Sequence, residues 1–186
     1  GFDPFERLAV VDYGDCFFDH GTASTWVAAI REHAAGILDA GASVLTLGGD
    51  HFITYPLLQA HHAKFGPLSL IHFDAHSDLW PDDNMARIDH GTMFYKAVKM
   101  GYADPKTSVQ IGIRTTTEDY LGVNVITARE AHEWGVAKVV ETVKEGGTIF
   151  RLDPAKVKRA SAAAPNVTAM FASMDGAHGH DHGAGD

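Results

Sequence analysis

Cysteine is almost missing from this 186-residue chain: Cys16 stands alone, so no internal disulfide can form and a reducing, cytoplasmic setting is the expectation. No run of eighteen apolar residues occurs, which argues against a membrane-spanning helix, and no basic-then-apolar leader opens the sequence. Basic residues are scarce too. Fifteen Lys and Arg face 24 Asp and Glu, a formal charge of −9. That balance argues against a nucleic-acid partner, which needs a basic face to neutralise phosphates. It favours small cationic ligands, although an acidic surface is also an ordinary way for proteins to stay apart. Methionine is missing from position 1, where Gly1 stands, so a preceding segment is expected.

What is present fits a globular domain: 45% hydrophobic and 21% charged residues. A chain of this length can bury roughly 70% of its unfolded surface without disulfides or structural metals. "LAVVDYGD" (8–15), "SVLTLGGDH" (43–51), "LSLIHFDAH" (68–76) and "TSVQIGIRT" (107–115) read as strands, and "GTIFRL" (147–152) as a fifth. Between them lie helical patterns. In 23–42, Trp26, Val27, Ile30, Ala34, Ile37 and Leu38 recur at three- and four-residue spacing, with Gly41 placed to end the helix. A second helix covers 52–66, with Pro56 in its first turn, and a third covers about 128–145 with a break at Gly135. Strands alternating with helices predict an α/β domain, a mainly parallel sheet with ligands gathered at the carboxyl ends of its strands. Residues 1–154 are taken as this domain. From 155 to 186 the texture shifts to Ala, Gly and His, which predicts a disordered tail.

Twelve histidines are an unusual count, and several stand beside carboxylates. In "IHFDAHSDLW" (71–80), Asp74, His76 and Asp78 fall at every second position, so an extended chain would point all three the same way. Polar groups grouped at a strand end need a cationic partner if they are buried. Carboxylate and imidazole without thiolate suit Mn(II), Zn(II) or Fe(II), and the oxygen-rich set leans toward Mn(II). Gly48-Gly49-Asp50-His51 ends another predicted strand and should lie close by. His72 shares the face of Asp74 by strict alternation and is read as a hydrogen-bonded core residue. His33, His61, His62 and His132 are read as surface side chains of helices.

The series "LGGDHFITYPLL", "IHFDAHSDLW", "IDHGTMFYKAV" and "SVQIGIRT", in that order, resembles the ureohydrolases, the arginase and agmatinase group of dimanganese enzymes. The resemblance covers about residues 5–145 and is nearest the agmatinase branch. It implies a three-layer α/β/α sandwich, truncated here at both ends, and two Mn2+ ions. His51 would bind the first ion and His76 the second, with Asp74 bridging and Asp78 completing the first site. His90 would shuttle protons as the catalytic residue. The arginase branch has Asn where Trp80 stands, so a guanidine lacking an α-carboxylate is the implied substrate. The implied reaction is agmatine to putrescine and urea, through a metal-bridging hydroxide, in polyamine biosynthesis. Assembly as a homo-oligomer, trimer or hexamer, is also implied.

One part of the family pattern is missing. A strand-end D-x-D followed by D-P should complete the metal shells. In "TIFRLDPA" the two ligand positions hold Thr148 and Phe150. Two alternatives therefore stand beside the enzyme: a catalytically inactive, metal-binding remnant, and a metal carrier acting through His178, His180, Asp181 and His182 in the tail.

Overall fold

The computed structural model describes residues 3–6 and 8–145. Three strands, β1 (Ile71–Phe73), β2 (Val109–Ile113) and β3 (Asn124–Thr127), pair in parallel in the order β1-β2-β3. Parallel pairing requires a crossover between neighbours, and the chain from 74 to 108 supplies one that carries helix α3 (Met93–Lys99). Helices α1 (Trp26–Asp39) and α2 (Thr54–Phe65) precede the sheet, and α4 (Ala128–Glu145) follows it. No helix among the described residues is long and apolar enough to cross a membrane.

Alternation along β2 sorts the layers. Val109 and Ile111 join Ile126 of β3 in one apolar cluster with Val139 and Val143, so α4 covers that face. Gln110 points the other way, toward His72 of β1, whose ring lies 4.6 Å from that of Phe94 on α3. On this side Tyr55 and Leu58 of α2, Leu79, and Met93, Phe94 and Ala97 of α3 form the largest cluster. Leu58, Leu79 and Met93 are at most 2% exposed, and each such side chain contributes about 1.5–3 kcal/mol of burial. Helices therefore lie on both faces of a parallel sheet, as expected.

The local signals explain most boundaries. β3 runs straight into α4 through a capping box: Thr127 N and Oγ1 both donate to Glu130 Oε2, and Glu130 N donates back to Thr127 Oγ1. The expected break in α4 is real, since Gly135 has φ 71° and ψ 171° and divides the helix in two. Pro56 occupies the first turn of α2, where its missing N–H costs nothing. β3 and α3 carry no strong periodicity of their own and were not expected as elements.

Three expectations are corrected. The runs at 8–15 and 43–51 form no strand ladder; Val11 is 78% and Leu47 87% exposed. β-branched composition suits a pleated surface, but a strand exists only where another strand accepts its hydrogen bonds, and these runs have no such neighbour among the described residues. The third expected strand shrinks to Ile71–Phe73. His61 is buried rather than superficial, with Nδ1 2.7 Å from Leu57 O, because α2 packs against both α1 and α3 and so has little surface left. The strand expected at 147–152 and the tail from 155 lie outside the described residues.

Candidate metal centre

The site forms where β1 ends. Phe73 is the last paired residue, and Asp74 N still donates to Ile111 O (3.1 Å) as the chain leaves the sheet. The close approach depends on Gly112. Its φ is +94°, the β2–β3 register shifts there, and a Cβ at this position would sit 3.2 Å from Asp74 O. Side chains rarely adopt that φ, so glycine is what lets β2 pass the ligand-bearing backbone.

Asp78 is also held by backbone conformation. Its φ of 52° is one of two positive values among described non-glycine residues. The turn aims Asp78 O at the start of α3, where it accepts hydrogen bonds from Phe94 N (3.1 Å) and Tyr95 N (3.3 Å). Two amides that the helix cannot satisfy internally thus find an acceptor. The Asp78 side chain turns inward, 9% exposed, and its Oδ2 lies 2.9 Å from His51 Nδ1. His51 Nδ1 is also 3.4 Å from Asp74 Oδ2.

His51, His72, Asp74 and Asp78 each offer a ligand atom, all within 4.8 Å of one another. Two carboxylates converging on one imidazole, all shielded from water, need a positive charge between them. Of the two separations, 2.9 Å equals and 3.4 Å exceeds the ~2.9 Å between adjacent ligands of a six-coordinate ion with bonds of about 2.0–2.1 Å. The set therefore fits one hard divalent cation.

His72 has a different role. Gln110 Nε2 donates to Ser77 O at 2.7 Å and lies 3.1 Å from His72 Nδ1. A flipped amide would set two oxygens 2.7 Å apart, so the nitrogen stays where it is. His72 Nδ1 must then accept, which leaves the proton on Nε2, 3.4 Å from Asp74 Oδ2. That nitrogen is buried and makes no well-formed hydrogen bond. It supports Asp74 from behind, as partners outside a ligand shell do. Burial pushes the Asp74 carboxyl up, but His72, the His76 amide and His51 outweigh it and hold it well below the usual carboxylate range.

The expected same-face triplet is only partly formed. β1 stops before Asp74, so strict alternation no longer applies, and the positive φ of Asp78 breaks it again. Asp74 and Asp78 converge with His51. The His76 side chain is 65% exposed, with Nδ1 3.3 Å from Asp74 Oδ1 on the outer side. His90 lies at the same surface, and its Nδ1 is 3.1 and 3.2 Å from the two oxygens of Asp50. Asp50 was visible beside His51 in G-G-D-H but drew no role from sequence. Gln110, a lone amide in an apolar strand, was the other overlooked signal.

Helices on both faces of a parallel sheet, with a carboxylate–imidazole cluster at its strand ends, define an α/β domain that carries a candidate cation site. The chain belongs to the Arginase family, which it matches over residues 1–148. It is similar to the agmatinase of Chromobacterium violaceum, 58% identical over 146 residues, covering 78% of this chain and 45% of that protein. Among solved structures it is similar to a hypothetical agmatinase from Burkholderia thailandensis (58% identity, TM-score 0.76, 78% of this chain and 46% of the other). It is also similar to the proclavaminate amidino hydrolase of Streptomyces clavuligerus (35% identity, TM-score 0.71, 76% and 49%). The chain spans about half the length of these relatives.

Proposed function

We propose that this chain carries the metal centre of an agmatinase-type ureohydrolase, acting with Mn2+ on a small cationic guanidine, agmatine first among them, to give putrescine and urea. The observation that carries the reading is the convergence of His51 Nδ1 with the Asp74 and Asp78 carboxylates at a strand end. The 58% identity to an agmatinase supports the substrate class. His51, Asp74 and Asp78 would hold the first ion, and His76, whose Nδ1 is 3.3 Å from Asp74 Oδ1, would be the ligand this chain offers a second. A divalent ion bound there would supply Lewis acidity, lowering the pKa of a coordinated water toward neutrality.

The chain's own residues do the rest. Asp50 holds His90 at Nδ1, which leaves Nε2 to carry the proton in and out. Water oxygen bonds to the guanidinium carbon, the C–N bond to the leaving amine breaks, and His90 passes the proton given up by that water to the amine, so that urea and the free amine result. Trp80 is tied to the residue after His90: its N donates to Gly91 O at 3.1 Å. The half-exposed indole offers a face to a cationic substrate and no donor set for an α-carboxylate.

A second reading is favoured by Thr148 and Phe150, which stand where the family resemblance expects two carboxylates. On it, the centre binds one ion and turns nothing over. Elemental analysis of Mn per chain after dialysis, with urea release from agmatine, separates the two. Two ions and urea establish the enzyme; one ion and no urea establish the remnant. Repeating the measurement on a chain lacking 176–186 removes the tail histidines, and binding that vanishes with them would assign it to a carrier instead.

A further inference from the structure

His90 stands at the end of a loop that has no core of its own. None of the side chains at 81–90 is buried. Such a segment should open readily, because few apolar contacts hold it. Its neck is closed by the bond from Trp80 N to Gly91 O (3.1 Å), and its middle is filled by Lys96 of α3, which is 0% exposed. Lysine is rarely buried unless paired. An ammonium carries three donors and no acceptor. Here all three are used, and all inside the loop: Nζ donates to Asp82 Oδ2 at 2.7 Å, to Asn84 O at 2.9 Å and to Arg87 O. Asp82 also accepts from Asn84 N and, from the outside, from Arg87. The loop is wrapped around a charge.

We propose that Lys96 is an internal cation that organises loop 81–90 and thereby sets where His90 stands, making it a positioning residue. A carboxylate and two carbonyls give the ammonium the kind of oxygen cage that loops elsewhere build for a metal ion. The loop's own sequence is rich in Asp and Asn, and Ile88 is its side chain packed against the apolar core. The consequence for turnover rests on the catalytic reading of His90 above; the consequence for loop order does not.

Trypsin supplies the test, because Arg87–Ile88 is a cleavage site inside the loop and Arg114–Thr115 one outside it. In the 186-residue chain, Lys96→Met keeps the bulk of the side chain and removes the charge. Expected is cleavage after Arg87 faster by about tenfold or more, as for loss of charge-assisted bonds worth at least ~1.4 kcal/mol, with cleavage after Arg114 within about twofold. Unchanged cleavage at Arg87 would overturn the proposal. Equal acceleration at both sites would also overturn it, by assigning Lys96 to the whole fold. Amine labelling of the unsubstituted chain is the second measurement. Lys96 should label at least about tenfold more slowly than Lys99 of the same helix, in step with opening at Arg87. Labelling at the Lys99 rate would sink the cage. Neither assay needs metal or substrate, so failure of the ureohydrolase reading leaves both results standing.

Discussion

The cluster of His51, Asp74 and Asp78 and the pair of His90 and Asp50 use the same chemistry, imidazole against carboxylate, and start from adjacent residues of one loop. They are held in opposite ways. Asp74 is fixed by a ladder bond to β2 past a glycine whose positive φ and close approach disfavour a side chain, and Asp78 by a positive-φ turn locked to two helix amides. Asp50 and His90 have side chains about half and two-thirds exposed, and they stand on loops, the His90 loop gathered around Lys96 of α3. On the function proposed above, the contrast follows from the task. Groups that hold a cation must be preorganised and dry, so that their mutual repulsion is relieved only by the ion. A proton shuttle needs solvent on one side and a ring free to exchange. If that is the correct division, substitutions in the two regions should fail differently.

The largest effect is expected from the buried cluster. Asp78→Asn preserves tolerance of positive φ and the backbone cap of α3, and removes only the charge. Affinity for Mn2+, followed by titration with EPR of the free ion, should fall by a factor on the order of 10² or more, beyond the 10–100-fold typical of outer-shell changes. Asp74→Asn should do the same. Retained affinity in both would mean the ion is held elsewhere, and the comparison would collapse.

Next in size is His90→Gln. Turnover of agmatine should drop by about 10²–10⁴, the usual worth of a positioned proton donor, while Mn2+ content stays that of the unsubstituted chain. A loss of metal instead would show that His90 belongs with the ligands and not outside them. Asp50→Asn keeps a hydrogen bond to His90 but loses the charge that orients it. Roughly a tenfold loss in turnover is expected, near the low end for bonds to a charged group, again without loss of metal.

The sequence made one of these two regions far more legible than the other. D-x-H-x-D at a strand end, with G-G-D-H upstream, marks His51, Asp74 and Asp78 because converging carboxylates are hard to explain without a cation. Period-two reasoning then overreached: it put His76 on the same footing, whereas β1 ends at Phe73 and alternation ends with it. The helix ends and the Gly135 break were readable, since caps and φ preferences are local. Gln110, Asp50 and Lys96 were not, because their meaning comes from partners 33 to 40 positions away for the first two and from a loop that folds back for the third. The strand-like runs at 8–15 and 43–51 failed for the same reason: apolar β-branched residues announce a surface that fits a sheet, not the neighbour that completes it.

The smallest expected effect concerns the loop's resistance to acid. The Lys96 ammonium beside Asp82, with the Asn84 amide and the Arg87 guanidinium, brings the Asp82 carboxyl down to about 2 from an ordinary value near 3.8. Between those values the unfolded chain binds the proton more readily than the folded one, so stability rises with pH across that window. The contribution of Asp82 is therefore complete above about pH 4 and disappears as pH falls through about 2. Asp82→Asn removes the titrating group while leaving an oxygen for Lys96. Urea midpoints measured from pH 2 to 7 should then show a lower plateau at neutral pH and a shallower fall between pH 4 and 2 than the unsubstituted chain. Asp74, held low by His72 and not by a lysine, still gives the variant an acid limb of its own, so the fall is reduced and not abolished. An unaltered slope would mean that Lys96 and Asp82 contribute nothing that unfolding removes, and the exposed half of the site would have to be held together by something other than its buried cation.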